Sequence, residues 1–366
     1  MSPRTRISGL VALVTVASLL AGLRAISGRA ENAPVEPSAV PAPPEPEPAA
    51  DLKPPIQGLI DNNKIPPASH FSAVQAFVVG VDWADLQSEP GGPIMQGNAI
   101  DQGLAQARAL NAEHPGLDLK LKLRVYAGIQ APEWAKRLAG EPVVVRDPQS
   151  GTSGTVGRFW TDAFGRAYDE LQAKLAARYD HVPEIREVVI ARCATVFAEP
   201  FIRNTGDKAS ARALLDAGFT WEADHRCHEE QIDAHSVWER TRSALALNPY
   251  QIVSPEGVFK TDGEFTEQMM RLCRSVLGDR CILENNSIQW PVKPTYTEMY
   301  AQIRALGPPI AFQTEPRAKV GDLGQALAWA VEQGANSVEL HRRYEEHPAD
   351  SLATFDRALK ANAVMQ

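Results

Sequence analysis

Extended apolar segments alternate with amphipathic helical segments along most of this chain, and this alternation limits its fold more than any other feature. In "LDLKLKLRVYAG" (117–128), leucines alternate with charged residues, the pattern of a strand with one buried face. Helical patterns such as "TDAFGRAYDELQAKLAARYD" (161–180) separate the extended segments, and we see no hairpin signal between them. Strands separated by helices indicate βαβ units and a parallel sheet.

The number of these repeats predicts a closed barrel. Seven segments read as strands, and "PIQGLI" (55–60) can supply an eighth at the start of the series. The other seven are "AFVVGVDW" (76–83), the 117–128 segment, "VVIARCATVFAEP" (188–200), "YQIVSP" (250–255), "CILENNS" (281–287), "PIAFQTEP" (309–316) and "NSVELH" (336–341). The segment "AHSVWERTRSALALN" (234–248) reads as a helix between the fourth and fifth strands. About 310 residues with eight strand–helix repeats fit a single-domain (β/α)₈ TIM barrel. An open doubly wound sheet is the alternative, but no glycine-rich phosphate loop follows the first strand.

Two segments precede the predicted barrel. Arg4 and Arg6 stand before an apolar run of about 15 residues (9–23), which predicts a secretory signal peptide over residues 1–30. An uncleaved membrane anchor is the alternative. Residues 31–55 are rich in proline, alanine and glutamate and predict a linker, which leaves 56–366 for the barrel. We therefore expect a secreted or extracytoplasmic protein, attached to a membrane only if the N-terminal segment is retained.

The charge and the cysteine content further limit the classes of protein to which this chain can belong. The formal net charge is −8, and removal of the first 30 residues with their four arginines would make it more negative. Such a chain is a poor candidate for nucleic-acid binding. The four cysteines are an even number, which in an exported protein permits two disulfides. We favour Cys273–Cys281, which brackets a short helix-to-strand link, and Cys193–Cys227 then follows by elimination. A buried free thiol at Cys193 is the alternative.

Two of the predicted strands end in Glu-Pro, at Glu199 and at Glu315. Active sites of (β/α)₈ barrels lie at the C-terminal ends of the strands, so both carboxylates should face one mouth. Retaining glycoside hydrolysis uses two carboxyl groups at such a mouth. One is protonated and donates its proton, and the other, a carboxylate, attacks the anomeric carbon. A solvated carboxylate at the barrel rim is the alternative for each residue alone.

The order of these motifs resembles the large superfamily of (β/α)₈ glycoside hydrolases. "WADLQSEPGGP" (83–93) with "IDQGLAQAR" (100–108) is similar to that clan's second strand and helix, and "LKLRVYAGIQAPEW" (121–134) to its third strand. The similarity runs from about Phe77 to Glu345. It implies an acid/base role for Glu199 on strand four and a nucleophile role for Glu315 on strand seven.

One position departs from that pattern. Members of the clan usually carry asparagine before the acid/base glutamate, where its amide contacts the 2-hydroxyl of the sugar, and this chain has Ala198. Hydrogen bonds to that hydroxyl strengthen in the transition state. The departure supports an alternative, a catalytically inactive saccharide-binding barrel at the cell surface.

Several further residues are candidates for contacts with an oligo- or polysaccharide. They are Trp83 and Trp290 as stacking platforms, Asn285 or Asn286 after strand six, Arg124 on strand three and Glu339 on strand eight. Each has a structural alternative, for example a tryptophan that fills the space between helix and barrel, or a buried ion pair for Glu339.

The histidine cluster in "DHRCHEEQIDAH" (224–235) is the remaining group of residues that could form a functional site, here a metal site. It contains His225, His228, Glu229 and His235, but the spacing matches no strong zinc pattern. We read this stretch as a loop and the start of a helix, and we predict neither a metal nor a cofactor for the site. A metal-dependent hydrolase is the third alternative. We predict an exported retaining glycosidase, while the sugar, the linkage and the oligomeric state leave no signal in the sequence.

Overall fold

The computed structural model describes residues 51–256 and 258–364, with no side chain described for Val364. The predicted signal peptide and most of the predicted linker lie outside these residues and stay predictions. Within them, no helix is both long enough and apolar enough to cross a membrane.

Eight parallel strands form a closed barrel, as the sequence predicted. They are β1 (Gly58–Asp61), β2 (Val74–Asp82), β3 (Lys120–Tyr126), β4 (Ile185–Val189), β5 (Arg242–Ala246), β6 (Cys281–Ile288), β7 (Ile310–Thr314) and β8 (Ser337–Leu340). Each strand pairs with its neighbours in the chain, and β8 closes the barrel on β1. This is the (β/α)₈ architecture.

Ten α-helices belong to the described residues, and the longer ones surround the barrel. They are α1 (Trp83–Leu86), α2 (Ala99–Glu113), α3 (Glu133–Lys136), α4 (Asp162–Tyr179), α5 (Lys208–Asp216), α6 (Trp221–Ala234), α7 (Gly263–Leu277), α8 (Thr297–Leu306), α9 (Leu323–Glu332) and α10 (Ala349–Val364). Side chains that alternate to the outer face of the strands, such as Leu121 and Leu123 on β3, are fully buried in the apolar layer between barrel and helices.

The region between β4 and β6 differs from the prediction. The α-helix that precedes β5 is α6, which ends at Ala234. The segment 234–248, which was predicted to be a helix, instead contains β5. The predicted fifth strand (250–255) contributes only Tyr250–Gln251, which pairs with Thr261–Asp262 in a short hairpin. The alanines of β5 give no strand signal in the sequence. Alanine favours a helix unless tertiary contacts override that preference. Here Ala244 and Ala246 are fully buried on β5, whose neighbours β4 and β6 impose the extended conformation.

A second hairpin was also absent from the prediction. Val143–Arg146 pairs antiparallel with Ser153–Val156 in the connection between β3 and α4. The polar stretch "QSGTSGTVG" (149–157) contains the turn and the second strand of this hairpin.

Charged side chains fill the middle of the barrel. Lys122 Nζ lies 2.7 Å from a carboxylate oxygen of Glu284 and 2.8 Å from one of Glu339. Arg124 Nη2 donates to both oxygens of Glu339, at 2.9 and 2.7 Å. Burial alone would raise the pKa of Glu339, but Arg124 and Lys122 outweigh it and lower that pKa to about 2. Burial raises the pKa of Glu284 to about 7 in spite of Lys122.

The folded region begins before residue 56. Lys53, which the sequence assigned to the linker, is buried at the N-terminal end of the barrel, and its ammonium donates to the carbonyls of Val182 at 2.8 Å and Ile185 at 2.7 Å. The backbone amide of Ile56 donates to Glu187 inside the barrel at 2.8 Å. The end of the predicted linker thus packs against the base of the domain.

Both predicted disulfides are present, and the described residues contain no free cysteine. Cys273–Cys281 joins the end of α7 to the start of β6. Cys193–Cys227 joins the loop after β4 to α6, so the idea of a free thiol at Cys193 within a strand is wrong.

Candidate active site

Glu315 stands directly at the end of a barrel strand. It follows Thr314, the last residue of β7, and its backbone amide donates to the carbonyl of Ile288 at the end of β6, at 2.8 Å. The residue is 9% exposed, and its carboxylate forms an ion pair with Lys293 from the loop after β6. The barrel itself therefore fixes the backbone of Glu315.

Glu199 lies in a long loop rather than on a strand. β4 ends at Val189, and residues 190–207 run across the C-terminal end of the barrel before α5 begins. The expectation of one continuous strand to Pro200 is wrong. The side chain of Glu199 nevertheless reaches the mouth, where it accepts a hydrogen bond from Asn248 Nδ2 at 3.1 Å.

A chain of side-chain contacts joins the two glutamates across the mouth. Asn248, which follows β5, donates to Glu199 and accepts a hydrogen bond from the hydroxyl of Tyr296 at 3.1 Å. Lys293 places its ammonium 5.0 Å from the centre of the Tyr296 ring and pairs with Glu315. Side chains from the loops after β4, β5, β6 and β7 therefore meet at one place.

The two carboxyl groups have different electrostatic surroundings. Burial raises the pKa of Glu199 and the nearby charge of Glu315 adds to this, while Asn248, Arg124 and Lys293 oppose the shift. The carboxylate of Glu315 forms an ion pair with the ammonium of Lys293. Tyr296 lies within the field of both glutamates, and burial together with their charges raises its pKa to about 12. Of the two carboxyl groups, Glu199 is the one whose surroundings favour the protonated form that a general acid needs.

The floor of the mouth carries polar atoms that lack partners. Asn286 Oδ1 and Gln313 Oε1 are buried, and within the described residues neither has a hydrogen-bond partner. Side chains two apart on a strand share a face, so Asn286 lies above Glu284 on the inner face of β6, and Gln313 precedes Glu315 on the inner face of β7. Buried polar groups normally have partners, so two open acceptors on the inner faces of neighbouring strands suit a ligand rich in hydroxyl groups.

Three other residues that were predicted to contact a saccharide instead bind other residues of the protein. Arg124 and Glu339 pair with each other inside the barrel, which is the buried ion pair given above as the alternative for Glu339. Asn285 faces outward on β6, where it donates to the carbonyl of Leu247 at 2.7 Å and accepts from the hydroxyl of Tyr300 at 2.8 Å. Of the two neighbouring asparagines, Asn286 is the one that faces the mouth.

The two tryptophans differ. Trp83 begins α1, is 0% exposed and donates from its indole nitrogen to Gln87 at 3.1 Å, with Trp134 packed edge-on against it. The prediction that Trp83 stacks on a sugar is therefore corrected, because the ring belongs to the core. Trp290 is 39% exposed on the loop that also carries Lys293, and its role as a stacking platform stays a prediction.

The histidine cluster belongs to α6 and its C-terminal end rather than to a loop. His228 Nε2 lies 2.8 Å from a nitrogen of Arg203, and His235 lies 3.0 Å from the hydroxyls of Tyr168 and Ser243. Burial lowers the pKa of His235 to about 3, so this ring is neutral and structural. In the part of the chain that the structure describes, no group of three His, Cys, Asp or Glu side chains is arranged to hold a metal.

Sequence analysis missed Asn248, Tyr296 and Lys293. Asn248 follows a strand that we had read as a helix, so its place at a strand end was hidden. Tyr296 and Lys293 lie in the loop after β6, and nothing in their spacing marks them. A correct fifth strand would have identified Asn248 alone, as the polar residue that follows "SALAL".

No family model and no curated protein matches this chain. Among solved structures, the catalytic domain of β-amylase from Paenibacillus polymyxa aligns at 13% identity with a TM-score of 0.49, covering 86% of this chain and 99% of that one. Endo-glycoceramidase II from Rhodococcus sp. aligns at 14% identity with a TM-score of 0.47, covering 83% and 80%. Morphinone reductase aligns at 16% identity with a TM-score of 0.40, covering 84% and 86%.

Proposed function

We propose that this protein is an exported glycoside hydrolase that cleaves an oligo- or polysaccharide by a retaining mechanism. The observation that carries the proposal is the contact chain from Glu199 through Asn248, Tyr296 and Lys293 to Glu315. It joins the carboxyl group of Glu199, which lies on the loop after β4 and has a raised pKa, to that of Glu315 at the end of β7. Retaining glycoside hydrolysis requires two carboxyl groups, one protonated as the acid and the other a carboxylate that acts as the nucleophile.

In the first step, Glu199 would act as the general acid. Its proton passes to the glycosidic oxygen while a carboxylate oxygen of Glu315 attacks the anomeric carbon, so that the glycosidic bond breaks and an ester to Glu315 forms. The raised pKa of Glu199 supports this role, because the group must carry a proton at the start. Lys293 contacts Oε1 of Glu315, so attack by the other oxygen would leave this contact in place as a hydrogen bond from the ammonium to the carbonyl oxygen of the neutral ester.

In the second step, Glu199 would act as the general base. Having lost its proton, it accepts one from a water molecule, whose oxygen attacks the anomeric carbon and releases Glu315 as a carboxylate. The open acceptors of Asn286 and Gln313 would bind sugar hydroxyls during both steps. Asn248 supplies an amide next to Glu199, although from β5 rather than from position 198.

The two disulfides support the proposal of export, because such bonds persist mainly in oxidising compartments. The predicted signal peptide is consistent with this. Secretion itself stays a prediction.

A saccharide-binding barrel without catalysis is the second candidate. Two observations favour it: Ala198 lacks the usual amide, and Lys293 occupies one oxygen of the proposed nucleophile. Such a protein would use the same mouth and the same hydroxyl-binding groups, but would release the saccharide unchanged.

Turnover of aryl glycosides separates the two candidates. Purified protein would be screened with a panel of 4-nitrophenyl glycosides and with oligosaccharides, beside Glu199→Ala and Glu315→Ala variants, and calorimetry would measure oligosaccharide binding. We expect release of 4-nitrophenol by the wild type and its loss in both variants. Binding without cleavage, unchanged in the variants, would favour the binding barrel and contradict the hydrolase.

A further inference from the structure

The loop that carries Glu199 is held from beneath by one buried arginine. Arg203 is fully buried, and its Nη1 donates to the carbonyls of Cys193 at 2.9 Å, Ile202 at 3.1 Å and Pro200, the residue after Glu199. The amide of Ile202 in turn donates to the carbonyl of Glu199 at 3.1 Å. A single guanidinium therefore satisfies carbonyls on both sides of Glu199.

The other side of that guanidinium is fixed to α6. Arg203 pairs with both oxygens of Asp224, through Nε and Nη2 at 2.7 Å each, and Asp224 also accepts from the hydroxyl of Tyr250 at 2.7 Å. Asp224 is fully buried as well. The planar guanidinium matches a carboxylate in this two-bond geometry, and lysine cannot reproduce it.

A disulfide joins the same loop to the same helix. Cys227 lies three residues after Asp224 on α6, so the two side chains share one helix face, and its bond to Cys193 holds the beginning of the loop. The arginine and the disulfide together form what we call the loop anchor, defined by Arg203, Asp224, Cys193 and Cys227.

We propose that the loop anchor positions the carboxyl group of Glu199, and that Arg203 and the Cys193–Cys227 disulfide are positioning groups for proton transfer at this site. The inference rests on the proposed function and deepens it. None of the four residues of the loop anchor forms a hydrogen bond with Glu199 itself, so their effect passes through the backbone of residues 193–203.

The physical reason is that the loop has no strand to define it. Buried carbonyl groups need donors, and removal of the guanidinium would leave carbonyls on both sides of Glu199 without one. Loss of the disulfide would remove the covalent link to α6 and leave the start of the loop bound to that helix only by weaker contacts, such as the hydrogen bond from the amide of Cys193 to Gln231 at 3.1 Å. A displacement of about 1 Å at a catalytic group can cost roughly 10²-fold in rate.

The test compares glycosides whose leaving groups need acid catalysis with glycosides whose leaving groups do not. The variants are Arg203→Lys and the double variant Cys193→Ala with Cys227→Ala. The matched control is Cys273→Ala with Cys281→Ala, which removes the disulfide between α7 and β6. We expect kcat/KM, which reports on ester formation and not on its later hydrolysis, to fall about 10²-fold for a poor leaving group, such as a second sugar, in the anchor variants. The value for a 2,4-dinitrophenyl glycoside should change little, and the control should resemble the wild type.

An equal fall for both kinds of leaving group would overturn the proposal, because a merely structural defect does not distinguish them. If Arg203→Lys does not fold, the double cysteine variant carries the same test. Backbone hydrogen exchange over residues 190–207 gives a second readout that needs no substrate.

We expect exchange in these residues to quicken in the anchor variants and not in the control. If the wild type cleaves no glycoside, the proposed function fails, and hydrogen exchange then decides on the loop anchor alone. Unchanged exchange in the anchor variants would overturn the loop anchor, whatever the activity.

Discussion

The two glutamates at the mouth are introduced by the same sequence signal and are held in two different ways. Glu315 follows β7 directly, and its amide is bonded to the end of β6, so the barrel defines its place. Glu199 lies ten positions beyond the end of β4, and Arg203 and a disulfide define its place from α6. The nucleophile candidate thus stands on the scaffold, and the acid/base candidate on an anchored loop.

This difference predicts different sensitivities. Changes in the surroundings of the loop should impair proton donation by Glu199 without affecting attack by Glu315. Changes at Glu315 itself should impair every substrate, whatever its leaving group. The predictions below use that contrast, from the largest expected effect to the smallest.

Glu315→Ala should have the largest effect. Without a nucleophile no ester intermediate forms, so we expect kcat to fall by more than about 10⁴-fold for poor and good leaving groups alike. Steady-state rates with both kinds of glycoside would measure this, and Glu315→Gln, which keeps the shape of the side chain, controls for folding. Retention of activity in either variant would exclude Glu315 as the nucleophile.

Glu199→Ala should be selective. We expect a fall of about 10²–10⁴-fold with poor leaving groups, since general acid catalysis supplies a factor of that size. Formation of the ester from a 2,4-dinitrophenyl glycoside needs no acid, so pre-steady-state release of dinitrophenol should stay fast. Azide should restore turnover, because a small anion can replace the activated water in the vacated space. A uniform loss that azide does not relieve would contradict the acid/base role.

Gly128→Ala should act on the loop of Glu199 through a steric contact. A Cβ atom at Gly128 would lie 1.9 Å from the carbonyl oxygen of Thr195, a backbone atom of that loop. The loop must move, and we expect a fall of about 10²-fold in kcat for poor leaving groups. Gly263→Ala is the matched control, because a Cβ there meets no atom within 4 Å. Equal kinetics of the two variants would show that the loop tolerates displacement.

Asn248→Ala should shift a pH profile by a small amount. Glu199 must be protonated to act as an acid, so activity is lost as the pH rises through its pKa. The hydrogen bond from Asn248 lowers that pKa, and its removal should raise it and move the alkaline limb of kcat/KM to higher pH.

Thr266→Val is the control for this shift. It removes a hydroxyl that donates to the carbonyl of Asn248 at 3.0 Å but leaves the bond to Glu199 intact. We expect no movement of the alkaline limb. A shift toward lower pH in Asn248→Ala would contradict the assignment of that limb to Glu199.

The sequence predicts the barrel because most of its strands carry their own signal. β3 alternates leucine with charged residues, and the structure places the leucines against the helices and Lys122 and Arg124 inside. β5 carries no such signal, because its buried alanines suit a helix as well as a strand. Its extended form comes from pairing with β4 and β6, which the local sequence does not contain.

The site is predicted less completely for a related reason. The sequence suggested Glu315 from a strand that runs directly to it, whereas it suggested Glu199 from a strand that ends ten residues before it. Lys293 and Tyr296 reach the mouth from a loop whose path depends on tertiary contacts. Trp83 illustrates the opposite error, in which a residue at a strand end turns inward to the core.

Covalent labelling tests the central claim, that Glu315 is the nucleophile and Glu199 its acid/base partner, most directly. The wild-type protein would be incubated with a panel of 2-deoxy-2-fluoroglycosyl fluorides, which react with retaining glycosidases and leave the sugar on the nucleophile. Intact mass and peptide mapping would then locate the label. We expect one added glycosyl group on the peptide that contains Glu315, and none in Glu315→Gln. A label on Glu199 or elsewhere, or inversion of the anomeric configuration with a cleaved substrate, would contradict the claim.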